Sequence, residues 1–513
     1  MTDRDRPTRR YMRRLTSFLV CLTILASTLS LRPADAAVSF VASFELGSAP
    51  AWQSATVAKT KGTWIKHSSP VVANMGSEGK LIIVGSQGGK LYAFRYKNGS
   101  LSKAWDTGSA IETFIDSSPA IGDLNSDGCP EVLVGAGNEY RPYNSGVHVF
   151  DCHGNKHRYW KAPGHAKPNH VGVFSTPAIG DVNGDGDLEV AYGSFNQKIY
   201  LKDRNGVDMP GWPRENYDTI WSSPALADTD ADGRKEIIIG TDLGGGAAVW
   251  TCAKGVRGTM SVFNYRGEFK KNFPRCIDTP IWSSPAVWDV TGDHVFDIVV
   301  GTNNYLEYGK QVGVEKTVRA WNSRTGSLIW DTNLGSGNRI FSSPAIGDVG
   351  GDGKLEIAIG AIDPDNYGEM WLLDAKTGAI RWHREGGHRA VCACQFMGSP
   401  VIADVSGDAK PDVVAVSEDG GLNAWDRSGA AVIRDLHAPP RPGKEAWQYE
   451  SYMFFNSPVV TDLDGNGTNE IVIASAISGS NPLRGKIWIV QTPGRGNGPW
   501  PMFKRLAKRN SSK

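Results

Sequence analysis

The 513 residues carry 55 Lys and Arg against 54 Asp and Glu, with 60 Gly, 28 Pro and 17 Trp. Residues 1–36 hold seven Arg and three Asp, so the rest of the chain has 48 basic against 51 acidic residues, a net of −3, which excludes the basic footprint of a nucleic-acid binder. This much glycine with few long helical patterns excludes a helical bundle and points to β structure rich in turns.

In chain order, a basic stretch ending at Arg13-Arg14 precedes "LTSFLVCLTILASTLSL", and "ADA" at 34–36 fits a small-residue cleavage site. Residues 1–36 therefore read as a signal peptide, and the mature chain as secreted, periplasmic or on the cell surface, with no transmembrane segment after cleavage. Residues 37–60 read as a lead-in, 61–503 as the repeating body and 504–513 as a basic tail. Six cysteines remain after Cys21. Cys129 with Cys152, inside one repeat, and Cys252 with Cys276, bracketing an insertion, are candidate pairs. Cys392-x-Cys394 admits a small-ring bridge, two bonds to other strands or free thiols.

A Ser-Pro or Thr-Pro step followed by a small apolar run and an acidic or amide residue recurs with prolines at 70, 119, 177, 224, 285, 344, 400 and 458. Each unit keeps one order: a short strand such as "SPAIGD", whose proline suits a first strand position; an acidic loop; a buried strand such as "EIIIG"; a strand with aromatics such as "KLYAFRY"; a turn; and a fourth segment with Trp. Those tryptophans are Trp105, Trp160, Trp212, Trp330, Trp382 and Trp500. One four-stranded sheet cannot bury its faces alone, and radial closure supplies the missing partners. The expected fold is all-β: one β-propeller of eight blades of four-stranded antiparallel sheet, with seven blades the alternative. "AWQS" at 51–54 and "PWPMF" at 499–503 both look like fourth strands able to close the ring.

The acidic loops repeat at positions 1, 3, 5 and 9. They read Asp123, Asn125, Asp127, Glu131; Asp181, Asn183, Asp185, Glu189; Asp228, Asp230, Asp232, Glu236; and Asp462, Asp464, Asn466, Glu470. Three more are partial: Asp289, Thr291, Asp293, Asp297 with His294 in place of the turn glycine; Asp348, Asp352, Glu356 with Gly350 at position 3; and Asp404, Ser406, Asp408, Asp412 with Ala409 in place of glycine. The first unit has Asn74, Gly76, Glu78 and Ile82, and no ion is expected there. Ca²⁺ takes roughly six to eight oxygen ligands, and oxygens at alternate positions of a tight loop converge on one point. Asp, Asn and Gly also simply form turns. A turn preference alone does not return carboxylates or amides to positions 1, 5 and 9 while the residues between them vary.

This arrangement resembles the FG-GAP (VCBS) repeats of integrin α-subunit propellers, whose loops follow D-x-D-x-D-G-x-x-D/E. The resemblance covers about residues 60 to 500 and implies Ca²⁺ as a structural cofactor in the loop between the first two strands of a blade. It also implies a binding protein with a protein or glycan partner, in adhesion or surface assembly. A polysaccharide lyase on a similar calcium propeller is the second expectation. A quinoprotein is the third, from the turns "WNSRTGSLIW" at 321–330 and "DAKTGAIRW" at 374–382. No catalytic residue is assigned: His153, His157, His165 and His170 cluster in a polar loop without ligand spacing. Phe174, Trp221, Trp282, Phe341 and Phe455, three residues before a proline, belong either to packing between blades or to a ring at one channel mouth. Departures from the repeat at 138–146, 153–172, 242–260, 303–317 and 434–453 mark candidate binding loops.

Overall fold

The computed structural model describes residues 38–46 and 65–504, apart from 139–140, 164–170, 217, 244–251, 254–255, 304, 308–309, 313–316, 336–338, 364, 366, 387–394, 438–451, 454–455 and 478–483. Four-strand meanders follow one another around a ring of eight blades. Blade 3 shows the pattern: Ala178–Gly180, Glu189–Ser194, Lys198–Lys202 and Arg214–Glu215, paired antiparallel in that order. Its second strand, EVAYGS, is buried at every position because a neighbouring blade covers each face. Outer strands are partly solvated instead. Ile380–Glu385 buries little beyond Trp382, whose Nε1–H donates to the Arg427 carbonyl of the next blade. Trp105, Trp212 and Trp330 make the same bond to Cys152, Tyr265 and Ala375. These four tryptophans thus latch blade to blade, each filling a wedge and satisfying its one polar atom, whereas the buried Trp160 Nε1 meets no acceptor among the described residues.

The Ser-Pro step has a specific task. The N–H of the residue before each proline donates to the hydroxyl before the next blade's proline, through Ser69, Ser118, Thr176, Ser223, Ser284, Ser343, Ser399 and Ser457, and from Ser457 back to Ser69. These bonds span 2.8–3.1 Å and close a complete circle around the axis. In five blades the preceding serine (68, 175, 222, 283, 342) accepts from a glycine N–H of its own second strand. That glycine leaves room for the next blade: a Cβ on Gly193 would lie 2.4 Å from Ile220 Cγ2. Ser284→Ala is expected to destabilise the fold by about 1–3 kcal/mol, because the buried Ser223 N–H loses its acceptor. Ser284→Thr is expected to stay near the parent, since blade 3 already uses Thr176. Denaturant unfolding of the two variants checks this.

Ring closure differs from both sequence expectations. Ser39–Glu45, in the lead-in, is the fourth strand of blade 8, pairing antiparallel with Arg484–Gln491. Residues 51–54 lie outside the described residues. The 499–503 stretch is no outer strand: it runs along the inner strands. Trp500 exchanges backbone bonds with Ile402 in the first strand of blade 7, and the Val460 N–H of blade 8 donates to the Pro501 carbonyl. Pro499 packs where a Cβ on Gly347 would stand, at the loop end of blade 6. Lys504 Nζ donates to the Ser223 carbonyl at 2.9 Å and to that of Pro224, at the Ser-Pro end of blade 4. The C-terminal segment therefore enters the channel from the loop face and climbs towards the Ser-Pro face. Trp500 is 1% and Lys504 2% exposed.

Both candidate disulfides are present, Cys129–Cys152 and Cys252–Cys276. Cys392 and Cys394 lie outside the described residues. Among the described residues no helix is long and apolar enough to cross a membrane.

Candidate functional site

The acidic loops join the first strand of a blade to its second. In seven blades one oxygen of the position-9 carboxylate accepts the backbone N–H of position 2: Glu131 from Leu124, Glu189 from Val182, Glu236 from Thr229, Asp297 from Val290, Glu356 from Val349, Asp412 from Val405 and Glu470 from Leu463. The acid at position 9 thus also closes its own loop, a second role beyond the one its spacing suggested. Position 1 accepts N–H groups from across the loop, as Asp181 does from Gly184 and Gly186. Position 6 has positive φ throughout, which glycine adopts freely but which His294 and Ala409 must also adopt, both at 65°. In the first unit position 9 is Ile82, buried in the core.

Negative charge is crowded in these loops. The oxygens of Asp228, Asp230 and Glu236 converge within 4.8 Å, as do those of Asp462, Asp464 and Glu470. Glu131 Oε1, Asp230 Oδ1 and Asp297 Oδ1 are buried and meet no hydrogen-bond partner among the described residues. Burial first, and the neighbouring loop carboxylates after it, push Glu189 and Asp412 up to about 7 and Asp297 to about 6. Two loops carry a basic side chain where a cation would sit. Lys270 bonds Asp230 and, at 3.2 Å, Glu236. Arg427, from blade 7, bonds Asp352 and, at 3.1 Å, Glu356. The orphaned oxygens of blades 2 and 5 are hard donors of the kind a divalent ion takes. The sixth loop does not fit one: it lacks a position-3 oxygen and already holds a guanidinium.

At the opposite end of the first strands, around the hydroxyl circle, lies a cavity of about 340 Å³. Its wall is formed by the residues three before each proline: His67, Asp116, Phe174, Trp221, Trp282, Phe341 and Met397. Phe455 lies outside the described residues. Four of the five aromatics noted in the sequence thus line the mouth and also touch one another in an arc. Phe174 stands 5.3 Å from Trp221, Trp221 6.1 Å from Trp282, and Trp282 5.1 Å from Phe341, between ring centroids. The first two blades supply a polar corner instead, where His67 Nδ1 donates to Asp116 Oδ1 at 3.2 Å and Gln87 Nε2 donates to the same oxygen. Phe503 of the C-terminal segment also lines the cavity. No sequence signal marked Gln87, Asn456 or Phe503 for this place. Much of the candidate binding loops, and His165 and His170, lie outside the described residues.

Behind the arc, Trp282 Nε1 donates to Asp242 Oδ2 at 3.0 Å. Burial, then the charge of Asp218, raises Asp242 to about 7, with Arg257 opposing. A carboxyl whose pKa rises on folding takes up a proton, so its contribution is full below its ordinary value of 3.8 and is lost as pH rises through about 7. Asp242→Asn is therefore expected to be more stable than the parent at pH 8 and closer to it near pH 4. Thermal melts across that range check it.

The meanders, their loops and the closed hydroxyl circle define an eight-bladed β-propeller. Residues 117–150, blade 2 with its acidic loop, match the FG-GAP repeat. No curated protein sequence matches it. Among solved structures, it is similar to the V. cholerae biofilm matrix protein Bap1 at 14% identity, over 92% of this chain and 96% of that one, with a TM-score of 0.41. The rhamnogalacturonan lyase YesW aligns at 13% identity over 87% and 93%, with a TM-score of 0.43. Saccharomyces cerevisiae Sqt1 aligns at 11% over 85% and 99%, with a TM-score of 0.47. Likenesses at these scores carry no functional argument.

Proposed function

We propose that the chain is an exported, calcium-stabilised propeller that binds a protein or glycan partner in adhesion or surface assembly. The supporting observation is the loop itself. Seven blades spend one oxygen of a buried position-9 carboxylate on closing the loop, and in blades 2 and 5 the second oxygen is buried without a partner. Burying such charge without a counterion is costly. The complete sets at Asp123, Asp181, Asp228 and Asp462 would hold Ca²⁺, with the partial sets at Asp289 and Asp404 weaker. Bound there, Ca²⁺ supplies positive charge that ties first strand to second. The loops stand at the far end of the first strands from the mouth cavity, which supports a structural rather than a catalytic task for the ions. Export rests on the leader at 1–36. The test is a thermal melt of residues 37–513 in excess chelator and after CaCl₂ is restored: a reversible rise supports the reading, and no response to calcium overturns it.

A further inference from the structure

The cavity at the Ser-Pro face has more chemistry than blade packing requires. Its floor is the circle of eight hydroxyls. Each oxygen accepts one backbone N–H, and no acceptor for its own proton lies among the described residues. The wall on one side is the continuous arc of Phe174, Trp221, Trp282 and Phe341, backed by Phe195 at 4.7 Å from Trp221. Trp221 is 38% exposed, an unusual position for a tryptophan that merely packs. On the other side stand His67 and Asp116 with Gln87 behind them. Independently, Asn456, only 2% exposed, lines the cavity and its Oδ1 meets no donor among the described residues. A buried amide oxygen left without a donor costs stability unless something supplies one.

These features select a ligand class. An apolar ligand would bury the hydroxyl circle and Asn456 Oδ1 without partners. An anion would face the Asp116 carboxylate, and the nearby cation, Lys504, is engaged with the Ser223 and Pro224 carbonyls. A neutral sugar matches both sides at once: its C–H face stacks on flat aromatic rings, its hydroxyls donate to Asn456 Oδ1 and Asp116, and its oxygens accept from the serine hydroxyls. The volume lies in the small-ligand range of about 300–1,000 Å³, enough for a chain end rather than a long polymer. We infer that this cavity binds the terminal residue of a neutral glycan. This deepens the binding-propeller reading above but does not rest on calcium, since the hydroxyl circle and not the loops builds the cavity.

Tryptophan fluorescence of the 37–513 chain in CaCl₂, titrated to tens of millimolar with methyl glycosides of neutral hexoses and deoxyhexoses, tests it. The expected result is a saturable change with at least one glycoside, weakened about tenfold or more in Phe341→Ala and in Asn456→Ala variants that melt like the parent. A response to no glycoside overturns the inference. So does a response unaffected in both variants, or saturation by N-acetyl-arginine amide alone, which would reassign the mouth to a cationic peptide. Failure of the calcium reading would show in the melts and leave this titration unchanged.

Discussion

Replacing Trp500 with Ala is expected to lower the free energy of unfolding by about 3–5 kcal/mol, the range for deleting a large buried aromatic. The indole is 1% exposed and packs with Ile346, Ala358 and Ile402 in the core of blades 6 and 7. Its backbone bonds on both sides to Ile402, so the side chain has no route out of the vacated space by a shift of the segment. Ending the chain at residue 498 is expected to cost at least as much. It removes the same indole, the Pro501 bond to blade 8 and the Lys504 bonds to blade 4, which together tie blades that are not neighbours in sequence. Trp221→Ala is the control: at 38% exposure it should cost far less. Guanidinium unfolding of the three proteins decides the matter. A Trp500→Ala loss no larger than that of Trp221→Ala would mean that the channel segment is not part of the cooperative fold.

Trp500 also shows where the sequence ceased to be legible. The repeat was readable because every blade restates the same local physics: a proline where no ladder donor is needed, a polar turn, and a buried β-branched strand. The count of eight followed from that, and so did the loops. The assignment of Trp500 to a fourth strand failed because a Trp after a turn looks alike in either setting, and the true neighbours, Ile402 and Val460, lie far back in the chain. The closing strand Ser39–Glu45 was missed for a related reason. It comes before any repeat signal, and its partners at 484–491 are set by closure of the ring rather than by local pattern. The Ser-Pro step was visible, but its bond to the next blade was not, because the acceptor belongs to a different unit in every case. The aromatics before the prolines were assigned two alternative places, and the structure gives Phe174, Trp221, Trp282 and Phe341 the mouth. In the acidic loops, Lys270 and Arg427 were invisible because each reaches its loop from another strand or another blade.

Those two basic residues turn the calcium proposal into a graded expectation. Restoring CaCl₂ to the chelated 37–513 chain should raise its melting temperature, since an ion that binds only the folded loop stabilises by about 2.7 kcal/mol for each site held at 100 times its Kd. The increment should shrink stepwise as Asp127, Asp185 and Asp232 are changed to Ala, because each loses the oxygen at position 5. Asp352→Ala should leave the increment as it was, because the Arg427 guanidinium already neutralises that loop. Lys270→Met should enlarge it. In the chelated parent the Lys270 ammonium bonds Asp230 and Glu236, so an arriving ion must displace it, and the variant leaves those oxygens to the metal. The variant should also be the less stable of the two in chelator, where the two carboxylates lose their counterion. An increment unchanged by all three loop substitutions would place the calcium elsewhere, and an equal loss with Asp352→Ala would show that the guanidinium is no substitute for the ion.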